Sequence, residues 1–194
     1  MEQRAVMAEP MIDDRTIAAC RAGDREAFRL LFETYKDRVF SIAVYSFGGD
    51  EAAANDVSQQ IFLKLMTAIN QFRGDSAFTT WLYRLVVNAC IDEQRKRRRF
   101  LPFGDAVPMS KIEDRRPQEK RFARLEVSES VQAAIKELTP KLRMPILLKY
   151  VEGLSYEEIA TVMGCSKGTV ASRLNRGHQK LAQRLSYLRD RLAD

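Results

Sequence analysis

The chain has 194 residues, 45% of them hydrophobic, a length that suits two small helical domains better than one. A net charge of +6 and a pI near 9.3 favour a polyanionic partner. No apolar run approaches the ~18 residues needed to span a bilayer, and the charged N-terminus lacks the apolar centre of a signal peptide, so a cytoplasmic protein with no membrane contact of its own is expected.

Residues 1–11 read as a flexible start, and Ile12 to Ala22 as a short helix ended by Gly23. Asp24 can cap a second helix, on which Phe28, Leu31, Phe32, Tyr35, Val39, Ile42 and Ala43 trace an apolar stripe. Gly48 and Gly49 end it, and Asp50 opens a third helix running to about Asn70. There Val57, Ile61, Phe62, Leu65 and Ile69 are apolar, and Leu63 and Met66 widen the stripe. A loop from Gln71 to Ser76 follows, with Ser76 predicted to cap a fourth helix carrying Leu82, Leu85, Val86 and Ala89 at helical spacing. That helix ends in the basic run Arg95 to Arg99. Residues 12–99 therefore read as one helical domain.

Pro102, Gly104, Pro108 and Pro117 punctuate a stretch without a sustained apolar period, which predicts a flexible linker over 100–125. A second helical domain is expected over 126–194. Val127, Val131, Ala134, Ile135 and Leu138 form its first stripe. Thr139 and Pro140 suit a helix start, and Pro145 predicts a local bend. No segment alternates like a strand. The expected fold is all-α, two small helical domains joined by a linker.

The sharpest local signal lies between Gly153 and Gly177. Ser155 and Glu158 make a capping box, Ile159, Ala160 and Met163 share a face, and Gly164, Cys165 and Ser166 form a three-residue turn. Ser166 can cap a further helix whose inner face is Val170, Leu174 and Leu181. Its outer face offers Lys167, Thr169, Ser172, Asn175 and Arg176, a short polar and basic surface of the kind that enters a major groove. This reads as a helix-turn-helix, the charge pattern favouring it over an ordinary helical hairpin in an all-α core. A second candidate site surrounds the loop: Phe72, Arg73, Gly74, Asp75 and Ser76, then Trp81, Arg84 and Asn88. Aromatic faces can stack on unpaired bases while Arg and Asn hold phosphates and base edges, although a lone tryptophan in a helical domain more often packs in the core.

Several stretches carry a family resemblance: Asp56-Val57-Ser58-Gln59-Gln60-Ile61-Phe62-Leu63, the run from Phe72 to Arg84, Asn88, and Glu152 to Ala160. In this order the chain resembles bacterial RNA polymerase sigma factors of the extracytoplasmic-function group, over residues 12–190. The resemblance implies a promoter-specificity factor acting with core RNA polymerase on promoter DNA, and an anti-sigma factor as a further partner. It implies that Asp56, Gln59, Gln60, Phe62, Leu63 and Met66 dock on the polymerase. Asn70, Phe72, Arg73, Gly74, Asp75 and Ser76 would capture a flipped base of the −10 element, with Trp81 and Arg84 among the −10 and melting residues and Asn88 and the basic helix end holding the melted strand and its upstream duplex. Lys167, Thr169, Ser172, Arg173, Asn175 and Arg176 would read the −35 element. Gln60 stands where many members have Glu, and Ala171 and Asn175 where many have larger or basic residues, so a −35 sequence does not transfer from any relative.

Two other readings compete. A stand-alone helix-turn-helix regulator accounts for the second domain and the charge but not for the loop and its helix. An enzyme is disfavoured: His178 is the sole histidine, no metal-ligand spacing is present, and neither catalytic residues nor a cofactor is expected. Cys20, Cys90 and Cys165, odd in number and far apart, read as structural thiols.

Overall fold

The computed structural model describes residues 12–100 and 130–187, which are built from helices, with no strand among the described residues. The expected flexible start over 1–11 and, save for Phe100, the expected linker over 100–125 lie outside these residues. In the first half, helices begin where a short carboxylate can accept the free amides of a first turn. Asp13 accepts from the Thr16 N–H at 2.8 Å to open α1 (Asp14–Arg21). Asp24 accepts from Glu26 and Ala27 at 2.8 and 3.1 Å to open α2 (Arg25–Ser46). Asp50 accepts from Ala53 at 2.9 Å to open α3 (Glu51–Ala68).

A 3-10 turn over Ile69–Gln71 leads to the loop, and α4 (Phe78–Phe100) follows. The cap expected at Ser76 is displaced. The helix begins at Phe78, so its cap position falls on Ala77, and the Ser76 hydroxyl donates instead to the Ala77 carbonyl at 3.4 Å. Packing decides the start: Phe78 turns inward against Tyr35, Phe72 and Trp81, with ring centroids 5.8, 5.4 and 5.7 Å away.

The second half contains α5 (130–137), α6 (Pro140–Tyr150), α7 (Tyr156–Met163) and α8 (Lys167–Arg184). Pro140 is the first residue of α6, which continues through Pro145. The capping box of α7 is formed, with the Glu158 N–H donating to Ser155 Oγ at 3.2 Å and the Ser155 N–H donating to Glu158 Oε2 at 2.7 Å. Gly164 ends α7 at φ 59°, a left-handed conformation that favours glycine, and Ser166 caps α8.

The two halves do not keep separate cores. Leu31, Tyr35, Val39, Ile61, Leu82 and Val86 belong to the same continuous buried cluster as Leu148, Leu154, Ile159, Val170 and Leu174. Helix α4 packs on α7, and α2 packs on α6.

One side chain fastens this junction. Helix α2 ends in the interior with no basic residue in its last turn. Arg143 of α6, only 8% exposed, supplies the cation: Nη1 donates to the carbonyls of Tyr45 and Ser46 at 3.1 and 2.9 Å. The same guanidinium holds the end of α5, donating through Nε to Ile135 at 3.0 Å and through Nη2 to Leu138 at 2.8 Å and to Lys136. Burial lowers the pKa of Arg143, but a guanidinium stays charged. Nearby, the Tyr83 hydroxyl donates to Glu152 Oε2 at 2.6 Å and accepts from Arg38 Nη1 at 3.3 Å. Burial, reinforced by Glu152, pushes the Tyr83 pKa up, so the hydroxyl keeps its proton.

Two predictions test these assignments. Ser155→Ala removes half of the capping box and should destabilise the chain by ~1 kcal/mol, lowering Tm by ~2–4 °C. An unchanged Tm would contradict the cap. The Ala53 amide first, and then Arg97 Nη1 at 2.9 Å, hold the Asp50 carboxyl below its ordinary pKa of about 4. A lowered carboxylate pKa stabilises the fold above the unfolded value, and that contribution is lost as pH falls through the folded value. Asp50→Asn should therefore be less stable than the wild type at neutral pH, with the difference closing below about pH 4 in denaturant titrations.

Candidate nucleic-acid and polymerase interfaces

Helix α3 presents Asp56, Gln59, Gln60, Leu63 and Met66 outward, with Leu63 68% and Met66 55% exposed. Their spacing places them along one side of the helix. Phe62 differs: it is buried, edge-on to Phe32 with ring centroids 4.8 Å apart. Beside this face a groove of about 870 Å³ runs between α2 and α3, lined by Phe28, Phe32, Phe40, Phe62, Leu63 and Met66 among others. The buried Ser58 hydroxyl, also in its lining, has no hydrogen-bond partner. Phe28 and Phe32 had counted as core from periodicity alone. The signal separating them is their offset from Leu31, Tyr35 and Val39, which own the buried face.

Around the loop, Asn70, Arg73, Gly74 and Asp75 are exposed and Ser76 is half-buried. Phe72 is not available as an open stacking platform. It is 8% exposed and wedged against Phe78 and Trp81, with centroids 5.4 and 5.5 Å away. Arg21 clamps this turn from α1, donating to the Phe72 carbonyl and, at 3.3 Å, to that of Ile69. Its guanidinium also lies 5.8 Å from the Phe72 ring centroid. Phe72 therefore anchors the loop while Arg73 to Asp75 project from it. Trp81 is half-buried in the same cluster, and on α4 it is followed at helical spacing by the exposed Arg84 and Asn88.

The basic run at the end of α4 is partly structural. Arg97 pairs with Asp50 at 2.9 Å and Glu93 at 3.2 Å and lies over Phe47, 5.3 Å from its ring centroid. Arg95 and Lys96 remain exposed, near Asp92 and Glu93 one turn earlier.

In the helix-turn-helix, Lys167, Ser172, Asn175 and Arg176 are exposed, while Thr169 and Arg173 are half-buried. Thr169 shares a 2.9 Å hydrogen bond with the capping Ser166, and Lys167 pairs with Glu157 of α7. Arg176 folds back on its own helix, donating to the Ser172 carbonyl at 3.2 Å, and Arg173 Nη1 lies 3.8 Å from Cys165 Sγ. Arg173 and Arg176 also line a cleft of about 470 Å³ between α6 and α8. Thr139, Lys141, Gln179, Lys180 and Gln183 complete its polar lining, which contains no carboxylate. Sequence reading missed Lys141 and Lys180, although Arg173, Arg176, Lys180 and Gln183 follow helical spacing. His178 is engaged by Tyr150, whose hydroxyl lies 3.0 Å from His178 Nε2.

Cys20 and Cys90 are buried and Cys165 half-buried, all as free thiols. Burial raises the pKa of Cys20 and pushes that of Cys90 up to about 12, which suppresses thiolate chemistry at both. No group of three or more metal-ligating side chains occurs among the described residues, and no described helix is long and apolar enough to cross a membrane.

The comparisons with known proteins decide the family. The model of sigma-70 region 2 matches residues 31–100, and that of sigma-70 region 4 matches residues 128–181. The chain is 35% identical over 184 residues to the RNA polymerase sigma-H factor of Pseudomonas aeruginosa, covering 91% of this chain and 95% of that protein. It is 35% identical over 192 residues to the extracytoplasmic-function sigma-E factor of Escherichia coli, covering 94% and 98%. The chain belongs to the extracytoplasmic-function sigma factors. Among solved structures, CnrH in complex with the cytosolic domain of CnrY aligns at TM-score 0.63 and 28% identity, over 89% of this chain and 96% of that one. The sigma factor RpoE of Bartonella quintana, solved with the anti-sigma factor NepR, aligns at TM-score 0.67 and 22% identity, over 83% and 98%, and shares the helical fold. As a sigma factor, the chain is a transcription initiation factor. The α3 side of the groove and the α4 face lie within the residues matched by region 2, and the helix-turn-helix within those matched by region 4.

The loop yields a separation of roles. Phe72→Ala should cost ~3–5 kcal/mol because it empties an aromatic cluster, whereas Arg73→Ala should change stability by less than ~0.5 kcal/mol. Thermal denaturation of both variants checks this. Equal losses would contradict the distinction between anchor and exposed tip.

Proposed function

We propose that this sigma factor binds core RNA polymerase through the α3 face, reads the −10 and −35 promoter elements with its two halves, and directs promoter melting. The observation that carries the reading is the union, in one chain, of two surfaces suited to DNA. One is the exposed Arg73 to Asp75 tip beside Trp81, Arg84 and Asn88; the other is the exposed polar face of α8. A regulator of intact duplex DNA would have no use for the first.

On region 2, Asp56, Gln59, Gln60, Leu63 and Met66 meet the polymerase, with Phe62 supporting them from below. The loop tip takes a flipped base, the half-buried Trp81 packs beside it, and Arg84 and Asn88 hold the separated strand. Unstacking a base costs a few kcal/mol, so the phosphate contacts and the polymerase must offset it together. On region 4, Ser172, Asn175 and Arg176 reach base edges, and Lys167 contributes charge at the helix N-terminus. The cleft that joins Arg173 and Arg176 to Lys141 and Lys180 follows the sugar-phosphate backbone beside them. An anti-sigma factor occupies the apolar groove between α2 and α3 in the inactive state, in keeping with the relatives solved as such complexes. The site of action is the cytoplasm.

Run-off transcription with purified core polymerase and a promoter library tests the function. Specific starts that require this chain are expected. Their absence, together with tight duplex binding by the chain alone, would favour a stand-alone regulator. Arg176→Ala should cost ~1–3 kcal/mol of discrimination at one −35 position. Lys141→Ala and Lys180→Ala should each weaken binding of all sequences alike and reduce the salt-dependence slope by about 1. A changed sequence preference in the lysine variants would contradict their backbone role.

A further inference from the structure

The cleft between α6 and α8 gathers more positive charge than a path along a duplex needs. Lys141 of α6 and Arg173, Arg176 and Lys180 of α8 border a space of about 470 Å³ whose lining has no carboxylate. None of the four forms an ion pair among the described residues, whereas Arg184, one turn beyond Lys180, is paired with Glu137. Arg173 lies 3.8 Å from the Cys165 sulfur and Arg176 donates to the Ser172 carbonyl at 3.2 Å, but neither partner is a carboxylate.

We propose that this cleft binds a condensed phosphate, either an inorganic polyphosphate or the polyphosphate of a nucleotide, and that the bound anion competes with promoter DNA by drawing Arg173 and Arg176 from the −35 face. The competition rests on the sigma-factor reading; the site itself does not.

Charge density and shape make the argument. A duplex strand presents its phosphates singly, one per ~3.4 Å of helix axis, on a convex surface. Bonded P–O–P units instead concentrate several negative charges in a small volume, which unpaired cations around one cavity can surround. The volume falls within the ~300–1,000 Å³ of small-ligand pockets. The amides of Gln179 and Gln183 and the Thr139 hydroxyl add neutral donors for phosphate oxygens. The start of α6 adds to the field: its first turn has no acidic residue, and the Thr139 hydroxyl makes no capping bond. A helix N-terminus carries partial positive charge, so Lys141 at this end, with neither cap nor carboxylate, is stabilised by a bound anion.

Gly177 sets the width of the cleft. It is buried on α8, on the same face as Arg173 and Lys180. An added Cβ would stand 2.6 Å from Cδ1 of the buried Ile146 and 3.6 Å from the Leu142 carbonyl oxygen, both on α6. Glycine is unfavourable inside a helix, so its place here marks a close approach of the two helices. That approach keeps Lys141 near enough to the α8 cations for one compact anion to meet both sides.

Isothermal titration calorimetry of the full chain with sodium tripolyphosphate, at fixed ionic strength and without divalent cations, tests the site. A single anion per chain is expected, bound ~10-fold or more tightly than orthophosphate. Lys141→Ala and Lys180→Ala should each weaken it ~10-fold, while Arg15→Ala, which removes an exposed charge from α1, should leave it unchanged. Gly177→Ala alters no charge, yet should weaken binding ~3–10-fold by forcing the helices apart. Adding Ile146→Val, which deletes Cδ1, should restore it. ATP titrated in the same way separates the sources: tighter binding than tripolyphosphate assigns a nucleotide, weaker binding an inorganic chain. Saturating tripolyphosphate should also displace a fluorescent duplex carrying the −35 element from the full chain at constant ionic strength. Several anions per chain, equal losses in Arg15→Ala and Lys141→Ala, or a duplex left undisturbed would overturn the proposal. Run-off transcription keeps the two readings apart: without promoter-specific starts the sigma reading fails, while calorimetry still decides whether the cleft holds a condensed phosphate.

Discussion

A long helix that ends inside a protein leaves carbonyls that need donors, and the end of α2 is where this chain meets that constraint. Tyr45 and Ser46 point into the junction, and α2 carries no cation of its own in its last turn. Arg143 adds donors from the other half to those of the Gly48 amide and Gln94, while also holding the end of α5. A planar guanidinium with five donors can serve two helix ends at once, which a lysine ammonium cannot do with the same geometry. The continuous buried cluster that joins Leu82 and Val86 to Leu154 and Ile159 runs across the same junction.

The same economy appears at the two surfaces proposed to face DNA. Each has an interior anchor and an exposed tip, and the residues divide the work. Phe72, Phe78 and Trp81 fix the loop from below, with Arg21 clamping its backbone, so Arg73 to Asp75 are held out without packing of their own. In the helix-turn-helix, Val170 and Leu174 fix α8 while Ser172, Asn175 and Arg176 stay exposed. Rigid support behind a polar tip lowers the ordering cost of binding, which matters for a factor that must offset base unstacking.

What was legible in the sequence was mostly local. The capping box at Ser155 and Glu158, the left-handed Gly164 and the Ser166 cap are short-range signals, and the structure contains each of them. The helix-capping roles of Asp24 and Asp50 were legible for the same reason. Ser76 misled because an N-cap preference of ~1 kcal/mol was outweighed by burial of the Phe78 ring. Phe72 was hidden from sequence reading because its ring packs into a cluster with Phe78 and Trp81 while its carbonyl is held by Arg21, 51 positions away. Arg143 was hidden more deeply: a charged residue is exposed by default, and its acceptor at Ser46 lies 97 positions away. The groove beside α3 was half legible, since Leu63 and Met66 stood out while Phe28 and Phe32 merged into the core stripe.

Hydrogen–deuterium exchange of the full chain, alone and with core RNA polymerase, tests the central claim most directly. The account predicts that amides along the exposed side of α3, around Gln59 to Met66, gain protection in the complex. Unchanged protection along α3 would contradict the account.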